Sequence, residues 1–228
     1  MEKLNPNEAD LTAIESLRRE LCGIGRRLFA RRLVSGTSGN ISVRVPEYAD
    51  REGSTSVRGD SVSDTSLSGR FLITASGKSF EDVSEEEFLL VNSCGEVLLG
   101  RGKPSMEWAF HRGIYSVRPD VQAVVHGHSA YATAYVMAAG QLPVVTVEAR
   151  LGLGSIGIVD YAPPGSEELA AKVTEVFREE EMRAAILCDH GFITVGDSLK
   201  PAYYLADILE ENAKVACLRQ SLNRISFN

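Results

Sequence analysis

The sequence predicts a mixed α/β (α+β-like) fold: one domain over residues 1–228, built as a single β-sheet covered by helices. Three observations carry this. The two ends of the chain hold apolar residues at helical spacing, the middle holds short apolar and β-branched runs bounded by glycine and proline, and the two kinds of segment mix without strict strand–helix–strand repetition. With 228 residues, 44% of them hydrophobic, the chain can bury one sizeable core, and it shows no internal repeat.

The first helix is expected within Glu8 to Val34, where Leu17, Leu21, Ile24 and Leu28 share one face. Gly36 and Gly39 then turn into a strand alternating Ile41, Val43 and Val45. Residues from about 47 to 70 are rich in Ser, Gly, Asp and Arg and read as a polar loop insertion. Short strands are expected at Phe71 to Thr74, Phe88 to Asn92 and Val97 to Leu99. A helix capped by Ser105 should carry Glu107 in its first turn and continue through Trp108, Ile114 and Tyr115. Val121 to His128 reads as a buried strand followed by an alanine-rich helix, and Pro143 to Val147 as a further strand. Ser166 caps a helix bearing Leu169, Val173, Val176 and Phe177, after which Ala184 to Cys188 and Phe192 to Val195 read as strands. Ser198 is expected to cap the last helix, with Leu205, Ile208, Leu209, Val215 and Ala216 on its buried face.

Composition narrows the function classes. The net charge of -7 and dispersed basic residues argue against nucleic acid; Arg26, Arg27, Arg31 and Arg32 read as a solvated or subunit-contacting helix face. No apolar run approaches the roughly 20 residues of a membrane span, and the polar Met1 to Asp10 segment lacks a secretory layout, so the expected location is the cytoplasm. Cys22, Cys94, Cys188 and Cys217 are far apart and fit thiols better than a disulfide framework.

Chemistry is concentrated in four histidines and one carboxylate. His126-Gly127-His128 ends an apolar strand, where alternate side chains share a face, so both imidazoles can converge on one ion. His190 ends a second apolar strand, between Asp189 and Gly191. Three neutral imidazoles with an open fourth position suit catalytic zinc; taken alone, such a pair more often marks packed or surface histidines. Glu107 at a helix start is either an acid/base beside the cation or an ordinary first-turn charge. His111, one turn on, could orient it and reads as structural rather than as a ligand. The loops Gly36-Thr37-Ser38-Gly39-Asn40 and Thr74-Ala75-Ser76-Gly77-Lys78 could each cradle an anion or be plain turns.

In chain order, GTSGNISVR, LITASGKSF, PSMEWAFH, RPDVQAVVHGHS, YAPPGSEELA and DHGFITVG resemble the class II aldolase and adducin family from about the first helix to the last. The resemblance implies a largely antiparallel central sheet and a homotetramer with the active site near the subunit interface. It places His126, His128 and His190 as ligands of a divalent metal, zinc first, with manganese or cobalt as alternatives. Glu107 takes the position of the catalytic acid/base, and Thr37, Asn40, Ser76, Gly77 and Ser105 those that bind substrate phosphate. The implied activity is retro-aldol cleavage of a hydroxy-ketone or sugar phosphate, with the cation stabilising an enediolate. Decarboxylation and sugar-phosphate epimerisation are alternatives within the family, and an adducin-like binding module is the alternative outside catalysis. Two positions depart from the pattern. Met106 stands where the family has a second phosphate-binding serine, and Val147 near where it has a tyrosine that protonates the aldehyde oxygen; Tyr161 and Tyr131 are candidate substitutes.

Overall fold

A computed structural model describes residues 8–45 and 69–223. The expected polar loop at about 47–70 therefore lies outside the described residues, apart from Gly69 and Arg70. Helix α1 (Glu8–Ala30) leads into β1 (Asn40–Arg44), β2 (Phe71–Thr74), β3 (Phe88–Val91) and β4 (Val97–Leu99). Helix α2 (Trp108–Val117), strand β5 (Ala123–Gly127) and helices α3 (Ala130–Ala139) and α4 (Val147–Gly152) follow. Strand β6 (Gly157–Val159), helix α5 (Glu167–Val176), strands β7 (Ala184–Leu187) and β8 (Gly191–Gly196), and helix α6 (Leu199–Asn223) complete the order. The strands form one eight-stranded sheet in the order β4-β3-β2-β1-β5-β8-β7-β6. Every pairing is antiparallel except β6 with β7.

Strand alternation divides the core into two layers. Ile41, Val43, Leu72, Val125 and Phe192 face Leu21 and Leu28 of α1, Val136 of α3 and Leu209 of α6. Ile73, Leu89, Val124 and Ile193 face Phe110 and Ile114 of α2 and Leu169 and Val173 of α5. Each such fully buried side chain stabilises the fold by about 1.5–3 kcal/mol relative to exposure. No helix among the described residues is long and apolar enough to cross a membrane. None of the four cysteines is in a disulfide; Cys22 is buried, Cys188 and Cys217 half-buried and Cys94 exposed.

Several expectations are corrected. Pro143 to Val147 is no strand: Asn212 of α6 accepts from the amides of Val145 (2.8 Å) and Thr146 (3.2 Å) and donates to the Pro143 carbonyl (3.0 Å). That side chain supplies the partners a neighbouring strand would have given, and Thr146 instead caps α4 by accepting from Ala149 N. Helix α2 begins at Trp108 with Glu107 as its N-cap residue, and Ser105 lies before it, its hydroxyl accepting from the Glu107 amide. The Ser198 hydroxyl donates to Asp197. Val215 lies on the exposed side of α6. Ser166 caps α5 as expected.

Candidate metal centre

One end of the sheet gathers the start of β1, the end of β5 and the turn between β7 and β8. The register places Asn40 opposite His126 and His126 opposite Ile193. Glu107 reaches the same place because Ser105 N donates to the Thr74 carbonyl and Ser76 N to that of Lys103, which ties the approach to α2 against the end of β2. His190 sits within the β7–β8 turn, where Asp189 adopts φ 58, a left-handed conformation that aspartate tolerates better than most residues.

Two glycines make the approach of these segments possible. A Cβ at Gly127 would stand 2.6 Å from the Leu33 carbonyl oxygen and from the Phe192 ring, so the residue between the paired histidines has no room for a side chain. A Cβ at Gly191 would meet the Gly127 carbonyl oxygen at 2.2 Å, which restricts the residue after His190 in the same way.

The three histidines converge. His126, His128 and His190 are the one metal-competent group of three found among the described residues, with donor atoms all within 4.8 Å of one another. Nε2 of His126 lies 3.1 Å from Nε2 of His128, close to the roughly 3.4 Å separating two nitrogens on a tetrahedral zinc. His126 Nδ1 is 2.8 Å from the Phe192 carbonyl oxygen and must donate to it, so the neutral ring carries its lone pair on Nε2, pointing into the cluster. Burial, reinforced by the neighbouring His126 and His190, pushes the His128 pKa down to about 4, so this imidazole is neutral at neutral pH.

Glu107 closes the cluster. Its Oε2 is 3.2 Å from His126 Nε2 and its Oε1 is 3.2 Å from His190 Nε2. Burial opposes ionisation of this carboxyl, but hydrogen bonds and positive charge from His126 and His190 in their protonated forms outweigh it and hold the group well below the usual carboxylate range. Glu107 Oε1 and His190 Nδ1 are buried without a hydrogen-bond partner. Three imidazoles aimed at one another beside a buried carboxylate leave several lone pairs facing a common point, and a divalent cation satisfies that donor set. His111 is fully buried and outside the triad, its Nδ1 2.7 Å from Ser42 Oγ and its Nε2 2.5 Å from Asn40 Oδ1.

The residues expected to hold phosphate are dispersed in character. Thr37, Ser76 and Gly77 are exposed on two loops, whereas Ser105 is buried. Asn40 is 4% exposed with both amide atoms engaged inside the protein, donating from Nδ2 to Glu107 Oε2 at 2.8 Å. Met106 and Val147 are 63% and 66% exposed. Tyr161 and Tyr131 are also exposed. Ser42 and Tyr115 were not anticipated as part of this environment. The available signal was the spacing of Glu107, His111 and Tyr115, a polar stripe at four-residue steps on an otherwise apolar helix face.

The profile of the Class II Aldolase and Adducin N-terminal domain matches residues 19–217. The chain belongs to the class II aldolase and adducin family. It is 32% identical to an L-fuculose phosphate aldolase of Methanococcus vannielii over 206 residues, covering 90% of this chain and 98% of the relative. It is 29% identical to a 3-oxo-tetronate 4-phosphate decarboxylase of Escherichia coli, covering 91% and 89%. Its fold is similar to the crystal structure of L-fuculose-1-phosphate aldolase from Thermus thermophilus, with a TM-score of 0.76, 27% identity and coverage of 93% and 98%. The expected fold class is therefore that of the family, and the sheet is antiparallel in all but one pairing.

Proposed function

We propose that this class II aldolase family member is a metal-dependent carbon–carbon lyase that cleaves a hydroxy-ketone or sugar phosphate by a retro-aldol reaction. The observation that carries the reading is the buried Glu107 carboxylate, 3.2 Å from two of three convergent histidines, with Oε1 free of any hydrogen bond. His126, His128 and His190 would hold a divalent cation, zinc first and manganese or cobalt as alternatives, which supplies Lewis-acid polarisation of the substrate carbonyl. As the carbon–carbon bond breaks, the hydroxyl that becomes the aldehyde gives up its proton; Glu107, a carboxylate in the free protein, takes up a proton in that step and delivers it to the released carbon, and in the synthetic direction it removes it. Its 5% exposure keeps bulk water from competing for that proton. His126, fixed through Nδ1 by the Phe192 carbonyl, keeps its donor lone pair on Nε2 throughout. Thr37, Asn40, Ser76, Gly77 and Ser105 are assigned to the substrate's phosphate.

The proposed enzyme is a cytoplasmic homotetramer with the site near the subunit interface. Support comes from the apolar surface of α4, where Val147 and Leu151 are 66% and 84% exposed. Light scattering at micromolar concentration tests the assembly, and a monomer removes it.

The deciding experiment follows deuterium exchange into hydroxyacetone and dihydroxyacetone phosphate by NMR. Glu107→Gln should retain stoichiometric metal while exchange falls about 100-fold or more. Unchanged exchange removes Glu107 from the chemistry, and full lyase activity in metal-stripped protein overturns the whole reading. Decarboxylation is the second reading, favoured by Val147 near where the family has an aldehyde-protonating tyrosine, a group that carbon dioxide release does not need, and by the similarity to a 3-oxo-tetronate 4-phosphate decarboxylase. Carbon dioxide release from hydroxy- and keto-acids without aldehyde formation decides for it.

A further inference from the structure

Glu107 is the end point of a buried line of hydrogen bonds that runs along the interface of β1 and α2. Asn40 and Ser42, two apart on β1, present side chains to one face, and Glu107 at the N-cap of α2 with His111 and Tyr115 within it follow at four-residue intervals to meet them. The contacts are Tyr115 OH to Ser42 Oγ at 2.7 Å, Ser42 Oγ to His111 Nδ1 at 2.7 Å, His111 Nε2 to Asn40 Oδ1 at 2.5 Å, and Asn40 Nδ2 to Glu107 Oε2 at 2.8 Å. All five residues are buried.

The direction of every bond follows from the Asn40 amide, whose NH2 donates to Glu107 and whose carbonyl oxygen faces His111. That oxygen needs a donor, so His111 carries its proton on Nε2. A neutral imidazole then accepts at Nδ1, which takes the single hydroxyl proton of Ser42. Ser42 Oγ can only accept from Tyr115, whose alternative acceptor, the Gln122 carbonyl, is more distant at 3.5 Å. Burial keeps His111 neutral, its pKa pushed down to about 3.

We infer that Asn40 is a positioning residue for Glu107, oriented in turn by His111, Ser42 and Tyr115, and that this one-way chain occupies Oε2 so that Oε1 is the oxygen that exchanges a proton with substrate. Asn40 has both amide atoms committed to the chain. The chemical meaning rests on the acid/base reading of Glu107, whereas the polarity of the chain does not.

The test uses the full metal-loaded chain. In 15N-labelled protein His111 is expected as the Nε2–H tautomer with unprotonated Nδ1; a Nδ1–H tautomer overturns the inference and requires no substitution to detect. In cobalt(II)-loaded protein, Asn40→Leu is expected to change the visible bands, because the released carboxylate turns toward the cation, and to lower deuterium exchange into hydroxyacetone about tenfold or more, the loss of one hydrogen bond to a charged group. Asn40→Asp keeps the shape but sets an acceptor against the carboxylate, so it should show the same spectral change even where Asn40→Leu does not fold. Parental cobalt bands in either folded variant overturn the positioning role. Exchange that survives Glu107→Gln would refute the acid/base reading instead, leaving the tautomer and cobalt readouts to decide where the carboxylate is held.

Discussion

Gly127→Ala is the most economical perturbation of the proposed metal centre, because one methyl group acts on two of its proposed ligands at once. The new Cβ would stand 2.6 Å from the Leu33 carbonyl oxygen and 2.6 Å from two carbons of the Phe192 ring. Ordinary contacts of this kind lie at about 3.4 Å or more, so the overlap is roughly 0.8 Å on two sides. Neither neighbour can yield cheaply. The Leu33 carbonyl accepts from His128 N at 2.7 Å, and the Phe192 ring is fully buried. The end of β5 must shift instead, carrying His126 and His128 with it. Overpacking of this kind costs about 1–3 kcal/mol, a fall of about 3–10 °C in Tm for a domain of this size. Metal affinity should fall at least about tenfold, since ligand nitrogens tolerate displacements of only about 0.2 Å. Calorimetry of the metal-free protein and competition with a chromophoric chelator measure the two effects. Gly23→Ala is the control, its Cβ meeting nothing within 4 Å on a helix, and should be neutral or stabilising by up to about 1 kcal/mol. Parental stability and metal affinity in Gly127→Ala would refute the argument that the close approach of Leu33 and Phe192 sets the ligand geometry.

Chelator treatment should lower the Tm of the parent, added zinc should restore it, and the difference should vanish in His126→Ala and His190→Ala, as seen by thermal melts with and without metal. Asn212→Ala removes the partners of Pro143, Val145 and Thr146 and is expected to cost about 2–4 kcal/mol in urea unfolding. Stability should also fall below neutral pH. The folded His111 pKa of about 3 lies under its unfolded value, so the unfolded chain binds more protons between pH 3 and 6.5. The stabilisation is complete above about pH 6.5 and is lost as pH falls, by roughly 1 kcal/mol between pH 7 and 5.5 for this residue. Metal-free unfolding midpoints equal at those two pH values would contradict a buried neutral His111.

Much of this fold was legible because its signals were local. The α1 stripe, the apolar runs of β2, β5, β7 and β8 and the Ser166 cap each announce themselves within a few residues, and His-Gly-His at a strand end brings two side chains to one face. What was illegible depended on distant partners. Pro143 to Val147 carries β-branched residues suited to a strand, yet a single asparagine on α6 takes its backbone groups. β6 is three residues at the sheet edge, too short for a periodic pattern, and exists through its parallel pairing with β7. Asn40 looked like part of a glycine-rich anion loop, since only the assembled sheet reveals Glu107 and His111 on either side of its amide.

The triad is drawn from the end of β5 and the turn after β7, and it comes together only when β5 has paired with β8. An unfolded chain offers a cation just two nearby imidazoles, a poor chelate, whereas the completed sheet offers three and a carboxylate. On the proposed metal site, capture of the ion would therefore follow pairing of β5 with β8, and its uptake rate would report closure of the sheet's central strands.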